Sequence, residues 1–417
     1  MALLPIQLQH AAALLHELLA GGRAADKTIE AYFRAHPKLG ARDRGAVAEL
    51  AYSCLRRRRS LEYTSGSVSA PDLVATYLLT HEGHSARAVG ELAGRDVTGL
   101  TTRVRTTPLA AAPWAVRADL PDGLATALCA QWGEDRALAL AQALNRPAPV
   151  DLRVNPLKAD RETVRARLAA EGFASEPTPY SPLGLRRHDR APLFRTQSFH
   201  DGLFEIQDEG SQLLAYLLEP KRQERIVDFC AGAGGKTLHI GALLANTGTV
   251  YAFDIAQKRL DKLKPRLIRA GLDNVRVERI ASENDARVQR LRGKIDRVLV
   301  DAPCSGTGTV RRNPDIKWRS IDLAELAATQ GRILHAAAAL AKPGGRVVYA
   351  TCSLVEAENE AVVTQFLATH ADFELVPAAE ILGRRHIALA DAGTMLRLDP
   401  VQHGTDAFFA AALQRRG

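Results

Sequence analysis

The sequence predicts an α/β protein: a doubly wound, parallel sheet in its C-terminal half, preceded by an all-helical domain and a small α/β connector. Three observations predict it. Apolar residues in the first 145 positions recur at helical spacing only. From Arg225 onward, short apolar runs alternate with helical segments, the pattern of a parallel sheet covered on both faces. Acidic residues, glycines and two cysteines then gather where those runs end, which is the ligand-binding edge of such a sheet.

Taken in order, the helical domain spans 1–145. Val47, Leu50, Ala51, Cys54 and Leu55 fall on one face of a helix that ends in the basic run Arg56 to Arg59. That run reads equally as a solvated, dipole-compensating helix end or as a phosphate-contacting patch. Pro147 and Pro149 mark a boundary, and a connector is expected over 146–220, with DLRVNPLK as a strand and turn and ADRETVRARLAAEGF as a helix. Over 221–417 the expected strands are RIVDFC, TVYAFD, VRVERI, DRVLVDA and RVVYAT. The strands ending at Asp301 and Thr351 are expected to be neighbours, about 4.8 Å apart.

Composition bounds the function. A chain of 417 residues with 46% hydrophobic content supports two or three domains. It has no apolar run of membrane-spanning length, and its first residues lack a signal-peptide pattern, so a cytoplasmic location is expected. Five cysteines without a CxxC pair read as reduced thiols, and the histidines show no metal-ligand spacing, so no metal is expected. The net charge of +8 favours a polyanionic partner.

FCAGAGGKT, Phe229 to Thr237, ends like a P-loop but fails its spacing, because Cys230 stands where the first glycine is required. What remains is a Gly-rich turn through Cys230, Ala231, Gly232, Ala233, Gly234, Gly235 and Lys236 that lets a ligand approach the backbone. Asp254, ending the next strand, is placed to accept ribose hydroxyls. An adenosine-containing ligand fits, and the absence of GxGxxG disfavours a dinucleotide. The two thiols decide between ligands. Cys304 in DAPCSG and Cys352 in TCS can face one substrate, and cytosine C5 becomes nucleophilic only after a thiolate adds to C6. Methyl transfer from S-adenosylmethionine then needs a nucleophile, a proton shuttle and a methyl donor in one pocket. RRNPDIKWR places Arg311, Arg312, Lys317 and Arg319 around Trp318, a set able to hold phosphates and stack a base.

At these residues the chain resembles the RsmB-like (Sun-type) RNA cytosine-C5 methyltransferases, and its helical domain 1–145 resembles this family's NusB-like RNA-binding extension, chiefly through His36 to Arg57. The motifs are RVNP (Arg153 to Pro156), FEIQDEGSQ (Phe204 to Gln212), CAGAGGKT, AFD, DAPCSGTG, RRNPDIKW, YATCS with Glu358 and Asn359, and GTDAFF. The resemblance implies a Rossmann-like class I methyltransferase domain at 221–417, S-adenosylmethionine as cofactor and RNA, foremost ribosomal RNA, as partner. By the same resemblance Cys352 is the nucleophile, Cys304 assists product release, and Asp301 lies beside cofactor and base. The strand-three acid that contacts the adenosyl group in this family has no clear match, leaving Ser282, Glu283 and Asp285 open. The expected activity is therefore cytosine-C5 methylation of structured RNA by a monomer, with transfer RNA as the alternative substrate. A catalytically silent RNA-binding assembly factor is the rival reading.

Overall fold

The computed structural model describes residues 3–189, 191–389 and 391–417. The chain folds into two compact units: 1–147 together with 309–320, and 148–308 together with 321–417.

The first unit is helical. Its helix Ala41–Arg56 buries Val47, Leu50, Ala51, Cys54 and Leu55, as the apolar spacing predicts, against Leu14 and Leu15 of the helix Pro5–Ala20 and Leu73 and Val74 of the helix Ala70–Thr80. Each Val or Leu of this set taken fully out of water contributes about 1.5–3 kcal/mol. Ser69 caps the last of these helices by accepting from the Asp72 amide at 3.3 Å. The basic run is used within this unit. Arg58 pairs with Glu62 at 2.7 Å, Arg59 reaches Leu120 O and Asp122, and the Arg57 guanidinium lies 5.7 Å from the Tyr77 ring.

Residues 309–320 correct the sequence expectation in two ways. They pack with the helical unit although they follow the sheet strand that ends at Asp301. Lys317, read as a phosphate contact, is only 3% exposed. Its ammonium donates to Arg56 O at 2.7 Å, Asp119 O at 2.9 Å and Asn145 Oδ1 at 2.8 Å. Trp318, read as a stacking platform, packs against the helical core and donates from Nε1 to Leu55 O at 2.9 Å. Arg311 is buried and its carbonyl accepts from Arg56 Nη2, whereas Arg312 is half-buried and Arg319 is exposed and pairs with Asp315. The reason is geometric: a lysine whose three N–H groups each meet an oxygen is satisfied without leaving the core.

The second unit holds two sheets. Strands β1 (Val150–Val154), β2 (Glu176–Pro177), β3 (Gly184–Arg187) and β4 (Phe204–Ile206) form an antiparallel sheet in the order β2-β3-β1-β4. The large sheet contains β5 (Arg225–Asp228), β6 (Thr249–Asp254), β7 (Val275–Arg279), β8 (Ile295–Asp301), β9 (Ala341–Thr351), β10 (Phe373–Val376), β11 (Leu396–Leu398) and β12 (Phe408–Arg415). Its order is β10-β12-β9-β8-β5-β6-β7, parallel from β9 to β7, with β12 antiparallel to β9 and flanked by β10 and β11. The five expected strands are all present, and this is a Rossmann-like architecture. The expected connector packs in the same unit as this sheet.

Val298, Leu299, Val300, Val347, Val348 and Tyr349 are completely buried, which fixes β8 and β9 as central strands. Their register pairs Asp301 with Ala350, so the loops carrying Cys304 and Cys352 leave the sheet side by side. Among the described residues no helix is long and apolar enough to cross a membrane. No group of three or more metal-ligating side chains occurs among them either.

Candidate active site

The carboxyl ends of β5, β6 and β8 surround a cavity of about 660 Å³, within the range of small-molecule sites. The Gly-rich turn forms one wall. Gly232 and Gly234 take left-handed φ values of +57° and +87°. A Cβ on Gly234 would sit 2.1 Å from Leu263 Cδ1, whereas one on Gly232 would meet nothing within 4 Å. Glycine is thus forced by packing at 234 and leaves the backbone bare toward the cavity at 232. Asp254 braces the turn: its Oδ2 accepts from Gly232 N at 2.8 Å and its Oδ1 from Ala256 N at 2.7 Å.

The RVNP and FEIQDEGSQ motifs hold this turn from behind. Arg153 donates to Gly235 O at 2.7 Å and to the Gln207 side chain, and Arg266 donates to Ala233 O at 2.6 Å. Glu205 fixes Arg266 at 2.9 Å and also pairs with Arg269. Burial pulls the Arg153 guanidinium down to about 10, which leaves it charged at neutral pH. These contacts engage turn carbonyls on side chains.

Acidic groups give the cavity its electrostatics. Burial pushes the Asp228 carboxyl up to about 7, with Asp301 and Asp254 adding to the rise and Thr237 opposing it through a 2.6 Å hydrogen bond. Asp228 Oδ1 has no partner among the described residues. Lys236 donates to Asp301 Oδ2 at 2.6 Å. Burial works against its ammonium, but Asp301, Cys352 and Asp228 outweigh it and hold the lysine above its ordinary value. Cys230 also lines the cavity, and burial with the surrounding acids pushes its thiol up.

Cys304 and Cys352 meet with their sulfurs 3.4 Å apart, and both line the cavity. The hydrogen bond to Cys352, then burial, then the charges of Cys352 and Glu358 raise Cys304 well above an ordinary thiol. Cys352 and burial thus favour the protonated form of Cys304. Behind the sulfurs, Glu358 is fully buried. Its Oε1 accepts from Ser305 N at 2.8 Å and Gln330 Nε2 at 3.0 Å, and its Oε2 from Ser305 Oγ at 2.5 Å and from Ser353 Oγ. Gly308 N donates to Cys352 O at 2.8 Å, and a Cβ there would come within 2.3 Å of Ala407 O.

Most residues singled out from the sequence therefore share one cavity: Cys230, Ala231, Gly232, Ala233, Gly235, Lys236, Asp254, Asp301, Cys304 and Cys352 line it, with Gly234 buried in the turn. Ser282 and Glu283 line it too, whereas Asp285 accepts from Arg287 N and Ala281 N as a helix cap. The residues 311–319 belong to the other unit. Sequence reasoning placed Asp228 at this strand edge without giving it a role, and it passed over the Arg153–Glu205–Arg266 brace and the Glu358 clamp. Motif strings held Arg153, Glu205 and Glu358 but not Arg266, and their roles needed partners distant in sequence.

A family model described as 16S rRNA methyltransferase RsmB/F matches residues 215–414, and an RsmF/B-like ferredoxin-like domain matches 120–192. The chain is 34% identical over 301 residues to the probable ribosomal RNA small subunit methyltransferase B of Synechocystis sp., covering 71% of this chain and 66% of that one. It is 33% identical to the Bacillus subtilis protein of the same description, covering 70% and 66%. The chain thus spans just under two thirds of these relatives. Among solved structures, a methyltransferase homolog from Pyrococcus horikoshii is 32% identical with TM-score 0.61, covering 72% of this chain and 97% of that one. NSun6 from the same organism shares the fold at TM-score 0.63 and 23% identity, covering 71% and 98%.

Proposed function

This chain belongs to the RsmB/F methyltransferase family, which is S-adenosylmethionine-dependent, and from that premise we propose that it methylates C5 of a cytosine in ribosomal RNA. The observation that carries the reading is the pair of cysteine sulfurs 3.4 Å apart in the wall of a Gly-turn cavity.

The cavity suits the cofactor. Its size, the bare backbone at Gly232 and the unpartnered Asp228 oxygen leave room and polar groups for an adenosyl ligand. Contacts are assigned to Cys230 through Lys236, Asp254 and Asp301. When bound, S-adenosylmethionine supplies an electrophilic methyl group on a sulfonium sulfur.

Cys352 acts as nucleophile: its thiolate bonds to cytosine C6, and the electron pair of the C5–C6 double bond becomes available at C5 for the methyl group. In the second half a base takes the C5 proton, the C–H electron pair re-forms the C5–C6 double bond and Cys352 leaves as a thiolate, which the Cys304 S–H beside it stabilises. Asp301 and Lys236, paired at 2.6 Å, keep opposite charges fixed at the edge facing both ligands. The helical unit, 1–145 in its contiguous part, is assigned to RNA binding, in keeping with the net charge of +8.

The test is a denaturing gel after incubation with cofactor and ribosomal RNA. Cys304→Ala is expected to accumulate a covalent protein–RNA adduct, and the variant lacking both cysteines none. A band that survives loss of Cys352 and vanishes with Cys304 reverses the roles. Methylation intact in both single mutants, with no band, reduces the thiols to packing.

A further inference from the structure

Two hydroxyl-bearing residues directly follow the two reactive cysteines, and one carboxylate holds both. Ser305 gives Glu358 its backbone N–H and its hydroxyl, and Ser353 gives its hydroxyl. Gln330 donates to the same carboxylate at 3.0 Å and, through the same amide nitrogen, to Pro303 O at 2.9 Å, so the Cys304 loop is gripped on both sides of its cysteine. The hydroxyls of Ser305 and Ser353 stand 3.1 Å apart across the clamp. A carboxylate is the side chain that only accepts, and four converging donors match it as no amide could. Glu358 is wholly buried and these donors are neutral, so its charge stays uncancelled close to Cys304.

We propose that Glu358 is a positioning residue for the two-thiol reaction: it ties the loop after Cys304 to the loop after Cys352 and fixes the sulfurs at 3.4 Å. The inference rests on the cysteine roles proposed above. It explains why both cysteines are followed by serine and why an acid sits in the helical turn Glu356–Glu358 that leads into the helix Glu360–Thr369. The negative charge of Glu358 is one of the causes that raise Cys304, so the clamp acts on that thiol as well as on the geometry.

Glu358→Gln on the full chain keeps the shape and one acceptor oxygen but removes the charge and presents an NH2 group to two hydroxyls. The expected result is a kcat at least about tenfold lower, with KM for RNA and cofactor affinity within about twofold of the parent. The pH midpoint of iodoacetamide alkylation at Cys304, read by peptide mass, is expected to fall by about one unit. Local loosening alone would change the alkylation rate and leave that midpoint in place. An unchanged kcat together with an unchanged Cys304 midpoint overturns the proposal. If Glu358→Gln does not fold, Ser353→Ala decides: it deletes one hydroxyl, and kcat is expected to fall at least about threefold at constant KM, an unchanged kcat overturning the clamp. Absence of cytosine-C5 methylation by the parent protein sinks the cysteine roles instead, and the Cys304 midpoint, read without RNA, then still reports on the clamp itself.

Discussion

Lys236 and Lys317 are two nearly buried lysines, one in each unit, and their surroundings act on their charge in opposite directions. Lys236 lines a cavity and faces carboxylates: Asp301 binds it at 2.6 Å, and the surrounding negative groups hold it above an ordinary lysine. Lys317 faces neutral oxygens, one for each N–H, and burial pulls it down to about 7, with Asp119 opposing and Arg56 and Arg57 adding to the fall. Charge against charge beside empty space marks a place where a ligand changes the balance. Charge against carbonyls in a filled core marks a structural pin, with the protonated and neutral forms near in free energy around neutrality. Both lysines sit in motifs that look functional as strings, and only the partners tell them apart.

The largest effect is expected from breaking the cavity lysine. Lys236→Met should lower methyl transfer about 100-fold, as removal of a preorganised charge at a reaction centre does, because Asp301 and Cys352 lose the cation between them. Single-turnover transfer of labelled methyl to RNA measures it. A rate within twofold of the parent would place Lys236 with Lys317 as a mere pin.

Lys317→Met should instead change how folding depends on pH. An unfolded lysine holds its proton up to 10.5, and folded Lys317 holds it only to about 7. Between these values the unfolded state binds more protons, so unfolding free energy rises with pH; above both it is flat, and below both it is flat again at its lower level. Replacing Lys317 should remove a slope of about 1.4 kcal/mol per pH unit in that window. Urea unfolding at pH 8 and pH 9, parent against variant, reads it directly. Equal slopes would mean that Lys317 titrates as an ordinary lysine.

The contrast also shows what the sequence carried. Parallel strands buried on both faces announce themselves as apolar runs, so β5 to β9 and the adjacency of the two cysteine loops are legible in the sequence alone. The Gly-rich turn was legible because a missing side chain is itself the signal. Lys317 was not, since its acceptors at residues 56, 119 and 145 lie far back in the chain. Nothing local distinguishes a basic residue beside tryptophan that meets phosphate from one that meets carbonyls. Glu358 lies six positions after Cys352, yet its function depends on Ser305 and Gln330, which belong to other elements. Local pattern gives the elements and the ends of strands; long-range polar satisfaction decides which charged residues are free to act.

A smaller effect is expected at the turn. Asp254→Ala removes the acceptor that holds Gly232 N and Ala256 N, so cofactor affinity should fall about tenfold, equal to about 1.4 kcal/mol. Isothermal calorimetry with S-adenosylmethionine is the measurement, and unchanged affinity would remove Asp254 from the site.

The smallest test returns to the helical unit. Trp318 donates its indole N–H to Leu55 O in the last turn of the helix Ala41–Arg56, where helix carbonyls lack partners of their own. Its ring lies under the Arg58 guanidinium at 5.5 Å and the Lys317 ammonium at 5.3 Å. Trp318→Phe keeps an aromatic face and deletes the donor. If the ring is part of the core, stability should drop by about 1 kcal/mol, the net worth of one hydrogen bond, and RNA affinity and its salt dependence should stay as they are. If the ring were free to stack on a base, the substitution would leave folding untouched, because a solvated indole contributes nothing to it. Chemical denaturation of the full chain separates the two, and an unchanged midpoint would restore Trp318 to the RNA surface from which its packing removes it.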